Sequence, residues 1–155
     1  MKKLLTINFP LSTLLFLLVG CSGGYELGDY YKTDGSAAIV VDVDANKQPS
    51  LLLSVEEASN LDADSAAEWA AALGDGWRLP DKNEMTKIVR LKTLLNKTLK
   101  QKTLPEAFKD FTFYWTSTQC SETHTYAYGP NGVSCYYKEN QDPSYKARAV
   151  KEIEN

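Results

Sequence analysis

A lone histidine narrows the chemistry open to this chain. His124 has no second imidazole with which to share a metal and no cysteine cluster beside it, so neither a histidine metal site nor a Ser-His-Asp triad has support. An exposed loop side chain is the expectation for it. Asp42, Asp44 and Asn46 have the opening spacing of a calcium loop. Lys47 then stands where such a loop needs glycine, and Leu53 where it needs a bidentate glutamate, so a solvated hairpin turn is expected. No metal and no cofactor is implied. Between Lys82 and Lys102, seven cations (Lys82, Lys87, Arg90, Lys92, Lys97, Lys100 and Lys102) face one acid, Glu84. Such a helix could lie against anionic lipid headgroups or acidic glycans, or could be a solvated face. Tyr126, Tyr128, Tyr136, Tyr137 and Tyr145 crowd the last third of the chain. Strand alternation puts Tyr126 with Tyr128 on one face and parts Tyr136 from Tyr137. Exposed members of the set could stack on a sugar or hold a peptide, while cross-strand packing would occupy others.

The N-terminus is an export signal. Lys2 and Lys3 precede an apolar stretch, clearest over residues 14–19, too short for a membrane span. It ends in Leu18-Val19-Gly20-Cys21, which resembles a bacterial lipobox. The resemblance implies cleavage after residue 20 and acylation of Cys21, with several chains on one residue giving stable anchoring. Residues 21–27, with Ser22-Gly23-Gly24, would form a tether, and residues 28–155 one domain. The expected location is the bacterial cell envelope, with a membrane as partner through the lipid and the outer membrane as the site in a diderm cell. About 135 residues remain after cleavage, enough for a single core. The formal net charge is -3, and nothing favours nucleic acid as a partner. With Cys21 lipidated, Cys120 and Cys135 are the one candidate disulfide in an oxidising compartment. The strand between them poses a difficulty, because two strand spacings, about 9.6 Å, exceed what a disulfide spans. The loop after Thr118 must therefore fold back.

The elements that would position these groups can be traced in order. Residues 38–43 form a β-branched strand, residues 44–49 a turn and residues 50–54 its hairpin partner. Asp64 or Ser65 would cap a helix running to Leu73, with Gly74 at its C-cap. Trp77-Arg78-Leu79-Pro80 is extended. Asp81 and Glu84 open a second helix as a capping box, and Met85, Ile88, Val89, Leu95 and Leu99 recur on one face up to a break before Leu104-Pro105. Strands are expected over residues 112–118, 125–128, 133–138 and 145–151, with Gly129-Pro130-Asn131-Gly132 turning the middle pair.

The segment Gly76-Trp77-Arg78-Leu79-Pro80-Asp81-Lys82-Asn83-Glu84 resembles a bacterial family of unknown function, typified by the C-terminal domain of collagen-like adhesins. Tyr114-Trp115-Thr116-Ser117-Thr118, a Gly-centred hairpin over residues 128–137 and Arg148-Ala149-Val150-Lys151 continue the likeness in order. Gly28-Asp29-Tyr30-Tyr31, Ile39-Val40-Val41 and Leu53-Ser54-Val55-Glu56-Glu57-Ala58 also look like longer members of that family. Lys151, where Arg is common, and the short segment between Glu57 and Trp77 depart from the pattern. The resemblance implies an α+β, C-type-lectin-like fold: two helices packed on a twisted, mostly antiparallel sheet, with neighbouring termini. It places Arg78 and Arg148 in structural segments, where an acid or backbone carbonyls would take them up, and makes Trp77 and Trp115 core anchors. Calcium-dependent sugar binding is not implied, since Gly129-Pro130-Asn131 lacks the acid of the lectin motifs.

The expected function is that of a non-catalytic recognition or adhesion module displayed by its lipid, with a glycan or a protein as ligand. One alternative is an enzyme or enzyme accessory of the formylglycine-generating type. It would need reactive or copper-binding thiols at Cys120 and Cys135 rather than a disulfide. A structural envelope protein is the other. If the last four strands run up and down, the loops 119–124 and 139–144 share one end of the sheet. Glu122, His124, Tyr126, Asp142 and Tyr145 are then the candidate ligand-binding residues.

Overall fold

The structure, a computed structural model, describes residues 23–32, 36–105, 107–109 and 111–154. The signal segment 1–20 and Cys21 lie outside the described residues. The fold is α+β, with three helices and two sheets. The elements are β1 (Tyr30–Lys32), β2 (Ala37–Val43), β3 (Pro49–Ser54), β4 (Ala58–Ser59), α1 (Ala63–Ala72), β5 (Trp77–Arg78), α2 (Lys82–Arg90), α3 (Lys92–Gln101), β6 (Phe113–Gln119), β7 (His124–Gly129), β8 (Gly132–Tyr137), β9 (Tyr145–Ala147) and β10 (Val150–Glu152). One sheet has the order β1-β2-β3-β10-β5 and the other β4-β9-β6-β7-β8. All described pairings are antiparallel except that of β6 with β9.

The run Ala38-Ile39-Val40-Val41 is apolar without interruption because its sheet is covered on both faces. Ala38, Val40 and Leu52 pack with Ala66 and Ala70 of α1, Trp77 and Trp115. Ile39, Val41, Leu51 and Leu53 pack instead with Met85 and Ile88 of α2, Leu95 and Leu99 of α3, and Tyr114. Neighbouring residues of β6 thus serve opposite layers. The core contributions of Trp77 and Trp115 agree with the sequence expectation.

The helix of residues 82–101 departs from expectation by being two helices. The capping box is present: Asn83 and Glu84 N–H groups donate to Asp81 Oδ1, and the Asp81 N–H donates to Glu84 Oε2. At Leu91 the N–H bonds to the Ile88 carbonyl, which tightens the turn and starts α3 in a new direction. No Gly or Pro marks this break. It is set by tertiary contacts, among them a hydrogen bond of 2.6 Å from the Thr98 hydroxyl to the Gly28 carbonyl. Gly28 has φ +86°, and a Cβ there would lie 2.5 Å from Leu94 Cγ, so only glycine lets the N-terminal segment approach α3. The cap of α1 also moves: Asp62, rather than Asp64 or Ser65, receives the Ser65 N–H at 2.7 Å, while Gly74 follows the C-cap at φ +123°.

The expected strand 145–151 is two short strands in different sheets. Arg148 and Ala149 carry the chain from one to the other, with the Arg148 side chain fully buried. The four final strands are also not a simple up-and-down run. After β8 the chain crosses to the far side of β6, and β9 pairs in parallel with it, Phe113 opposite Tyr145 and Tyr114 opposite Lys146. Gly24 already lies against Lys47, and the Tyr25 N–H donates to the Lys47 carbonyl at 2.8 Å, slightly before the expected domain start.

Candidate functional site

The open end of the β7–β8 hairpin, where His124 pairs with Tyr137, and the loop 119–124 form one end of the second sheet. Between Trp115 and Gln119, β6 bulges against β7. The extra residues are used: the Thr116 hydroxyl donates to the Tyr126 carbonyl at 2.7 Å, and the Ser117 N–H donates to the Pro80 carbonyl at 2.8 Å. The Lys82 N–H in turn donates to the Thr118 hydroxyl at 3.0 Å. Tyr114-Trp115-Thr116-Ser117-Thr118 thereby fastens the second sheet to the start of α2, and the Trp115 indole N–H donates to the Leu61 carbonyl at 2.8 Å. Past the bulge the chain folds back, and the Cys120 N–H bonds to the His124 carbonyl at 2.9 Å. Cys120 and Cys135 then form a disulfide, with Cα atoms 6.3 Å apart. The fold-back needed for this bond is supplied by the bulge and the loop.

Of the candidate ligand-binding residues, the structure brings Glu122, His124 and Tyr126 to this end. Glu122 is exposed. His124 is the first residue of β7, half-buried, and so not the free loop side chain expected. Its Nδ1 lies 2.8 Å from the Thr123 hydroxyl, and its ring meets that of Tyr137 edge-on at 5.7 Å. Tyr126 lies on the α2 side with the Lys82 ammonium 4.9 Å from its ring centre. It shares that face with Tyr128, while Tyr136 and Tyr137 point apart, both as alternation requires.

The loop 139–144 does not stay at this end. Its start does, since the Lys138 N–H donates to the Thr123 carbonyl at 3.0 Å. Its far end reaches the opposite edge, where the Phe113 N–H donates to the Ser144 carbonyl at 2.8 Å. The expectation that both loops share one end is thus corrected for Asp142 and Tyr145, because β9 lies parallel to β6. Asp142 is exposed and its carboxylate accepts the Ser144 N–H at 2.8 Å. Tyr145 is buried, stacked on Phe113 and Trp115 with ring centres 4.7 and 4.8 Å apart, and so is not an available anchor. Tyr137, not singled out by sequence, is exposed at the hairpin end, with its hydroxyl donating to Glu139 at 2.7 Å. The parting of adjacent tyrosines by alternation was the signal that one of them would face solvent.

The densest polar cluster is internal. Glu57 receives the Tyr114 hydroxyl at 2.6 Å, the Arg148 Nε–H at 3.2 Å and the Lys146 ammonium. Arg148 further donates to the carbonyls of Ser54, Val55 and Pro105 at 3.0, 3.2 and 3.3 Å. Burial pushes the Glu57 carboxyl up, but the hydrogen bonds from Lys146 and Tyr114 and the Arg148 charge outweigh it and hold the carboxyl below its ordinary value. Burial, then the Glu57 charge, raises the Tyr114 phenol. Arg78 is likewise paired, by a two-pronged contact with Glu84 at 2.7 and 2.8 Å and by Glu152 at 2.7 Å. Both arginines are paired; Arg148 is buried, as expected, whereas the Arg78 side chain stays 40% exposed. Glu57, the acid at the centre of the cluster, was missed, since its partners come from segments far apart in sequence.

Two clefts among the described residues bear on these groups. One, of about 370 Å³, is lined by Asp42, Ser50, Leu51, Asn83, Glu84, Lys87 and Glu152. Asp42 is ion-paired there with Lys87, and the Asp44 carboxylate caps the Asn46 and Gln48 N–H groups at 2.8 Å, so both carboxylates serve the hairpin and its neighbour. The other, of about 210 Å³, lies between Lys92, Lys109, Phe111, Tyr128, Gly129 and Pro130, at the end of the second sheet away from His124. Among the described residues, no three His, Cys, Asp or Glu side chains converge as metal ligands would. No helix of the described residues is long and apolar enough to cross a membrane. No protein-family model matches the chain, and no curated protein matches it significantly.

Proposed function

We propose that this chain is a lipid-anchored envelope protein, acylated at Cys21, whose α+β body is of the C-type-lectin-like kind and acts as a non-catalytic recognition module for a glycan or protein. The observation that carries this reading is the braced end of the second sheet. A disulfide holds the loop 119–124 against β8, and a rigid hairpin presents Glu122, His124, Tyr137 and Glu139 together. Loops on a fixed scaffold lose little entropy on binding. The strongest acid–base cluster, around Glu57, is consumed by internal partners. The return of β10 to the sheet that holds β1 supports the lectin-like comparison, because it brings the two ends of the domain into one layer. The pairing of Cys120 with Cys135 weighs against a formylglycine-generating or copper-binding role, which needs both thiols.

The test has two parts. The mature protein is probed on arrays of glycans and envelope or host proteins, and each hit is repeated with Glu122→Ala, His124→Ala and Tyr137→Ala, with folding checked by circular dichroism. Loss of binding in at least one folded variant supports the hairpin end as the site. Parent-like binding by all three places the site elsewhere. Cys21→Ser should shift the protein from the detergent phase to the aqueous phase, and unchanged partitioning would overturn the anchoring.

A further inference from the structure

The outer face of α3 combines three features. At 3.6 residues per turn, Thr93, Leu94, Lys97 and Lys100 fall on its exposed side, opposite the buried Leu95, Thr98 and Leu99. From Lys92 to Lys102 the sequence carries no acid. Apolar groups flank this cationic strip on both sides. Leu94 lies against Gly28, next to the exposed Leu27, and Phe111 shares a cleft with Lys92. Leu27, Leu94 and Phe111 are three of the four large apolar side chains the described surface exposes. Phe111 is the extreme case, 79% exposed and held at φ +61°, a conformation bulky residues rarely take.

We propose that this face, centred on Lys97 and Lys100 and edged by Leu27 and Phe111, lies on an anionic lipid surface. The proposal rests on lipidation of Cys21. The chain enters the described structure at Gly23, two residues after Cys21, and Gly28 is already packed against Leu94. An acyl group on Cys21 therefore holds the α3 face within a few residues' reach of the headgroups. Lysines draw such a face toward anionic lipid, and apolar side chains at its edges enter the boundary region by about 5–10 Å. Glu26 and Asp29 are the acids nearest in this segment, and Asp29 is engaged by the Glu26 N–H at 2.9 Å. The orientation also suits display. Phe111 sits by the Gly129-Pro130 turn, and the loop 119–124 lies at the other end of β7, about 20 Å away for a six-residue strand. The end of the second sheet that carries His124 and the loop 119–124 then points away from the membrane that holds the protein.

The full chain, expressed with its signal so that it is lipidated, is reconstituted into phosphatidylcholine vesicles with and without phosphatidylglycerol. Phe111→Trp and Leu27→Trp are introduced separately, with folding checked by circular dichroism, and the added emission is read as the difference from the parent. In anionic vesicles the added emission should shift to the blue, be lost to lipids brominated on the upper acyl carbons, and be shielded from acrylamide. Adding K97E and K100E should return it to the aqueous spectrum while the protein stays on the vesicles. Vesicle-bound protein in which both added tryptophans stay open to acrylamide and blind to bromine would overturn the proposal, leaving a solvated or protein-binding face. Protein that fails to float with any vesicle would refute the lipidation, and the proposal with it.

Discussion

Replacing Arg148 by methionine should be among the most destabilising single changes available to this chain. The guanidinium is fully buried and donates to Glu57 and to three main-chain carbonyls, those of Ser54, Val55 and Pro105. Methionine fills much of the volume but donates nothing. The three carbonyls would lose this donor, and Glu57 would keep only Lys146 as a cationic partner. Removing one side of a buried ion pair costs about 3–5 kcal/mol, and a domain of this size has only about 5–15 kcal/mol in total. Urea unfolding followed by tryptophan fluorescence, with the disulfide intact, measures the loss. Arg148→Met combined with Glu57→Leu should cost less than the sum of the two single changes, since neither member of the Arg148–Glu57 pair is left buried without the other, although Lys146 loses its acid. A loss below about 1 kcal/mol for Arg148→Met, or strict additivity in the pair, would refute the claim that the buried Arg148–Glu57 pair stabilises the fold.

The same cluster gives stability a pH dependence. The Glu57 carboxyl is held below its ordinary value, so its contribution is full above the unfolded carboxylate value, near about pH 4.3, and is lost as pH falls through the folded value. Glu57→Gln should flatten the acid limb of the stability curve, and an unchanged limb would sink that assignment. Reducing the Cys120–Cys135 bond, which closes 15 residues, should lower stability by about 3 kcal/mol in the chain-entropy picture. Unfolding with and without reductant tests this, and alkylation of native protein should add no mass at either cysteine.

How far the sequence reaches depends on whether the information is local. The Asp81–Glu84 capping box, the hairpin of β2 and β3, and the parting of Tyr136 from Tyr137 depend on a few neighbouring residues, and each is present as read. The break at Leu91 has no local mark. It follows from the approach of Gly28 and Thr98, which are 70 positions apart. The sheet change at Arg148 is similar: the run alternates well enough for one strand, and although uptake of Arg148 by an acid or carbonyls was expected, nothing local marked the switch of sheet or which distant carbonyls would receive it. Glu57 stayed invisible for the same reason.

The correction at Tyr145 reshapes the candidate site most. Sequence alone fixes neither the order nor the direction of strands joined by a long loop, and an up-and-down path was the simplest continuation of the β7–β8 hairpin. Parallel pairing of β9 with β6 instead carries Tyr145 under Trp115 and separates Asp142 from His124. The parallel arrangement wins because it stacks Tyr145 between Phe113 and Trp115 and brings Lys146 to Glu57. An antiparallel neighbour beyond β8 would leave those partners unmet. Tyr145, one of the candidate ligand-binding residues, is therefore spent on the core. The exposed aromatic at the end of the sheet that carries His124 is Tyr137, held by Glu139 and His124 on a hairpin that the disulfide joins to the loop 119–124.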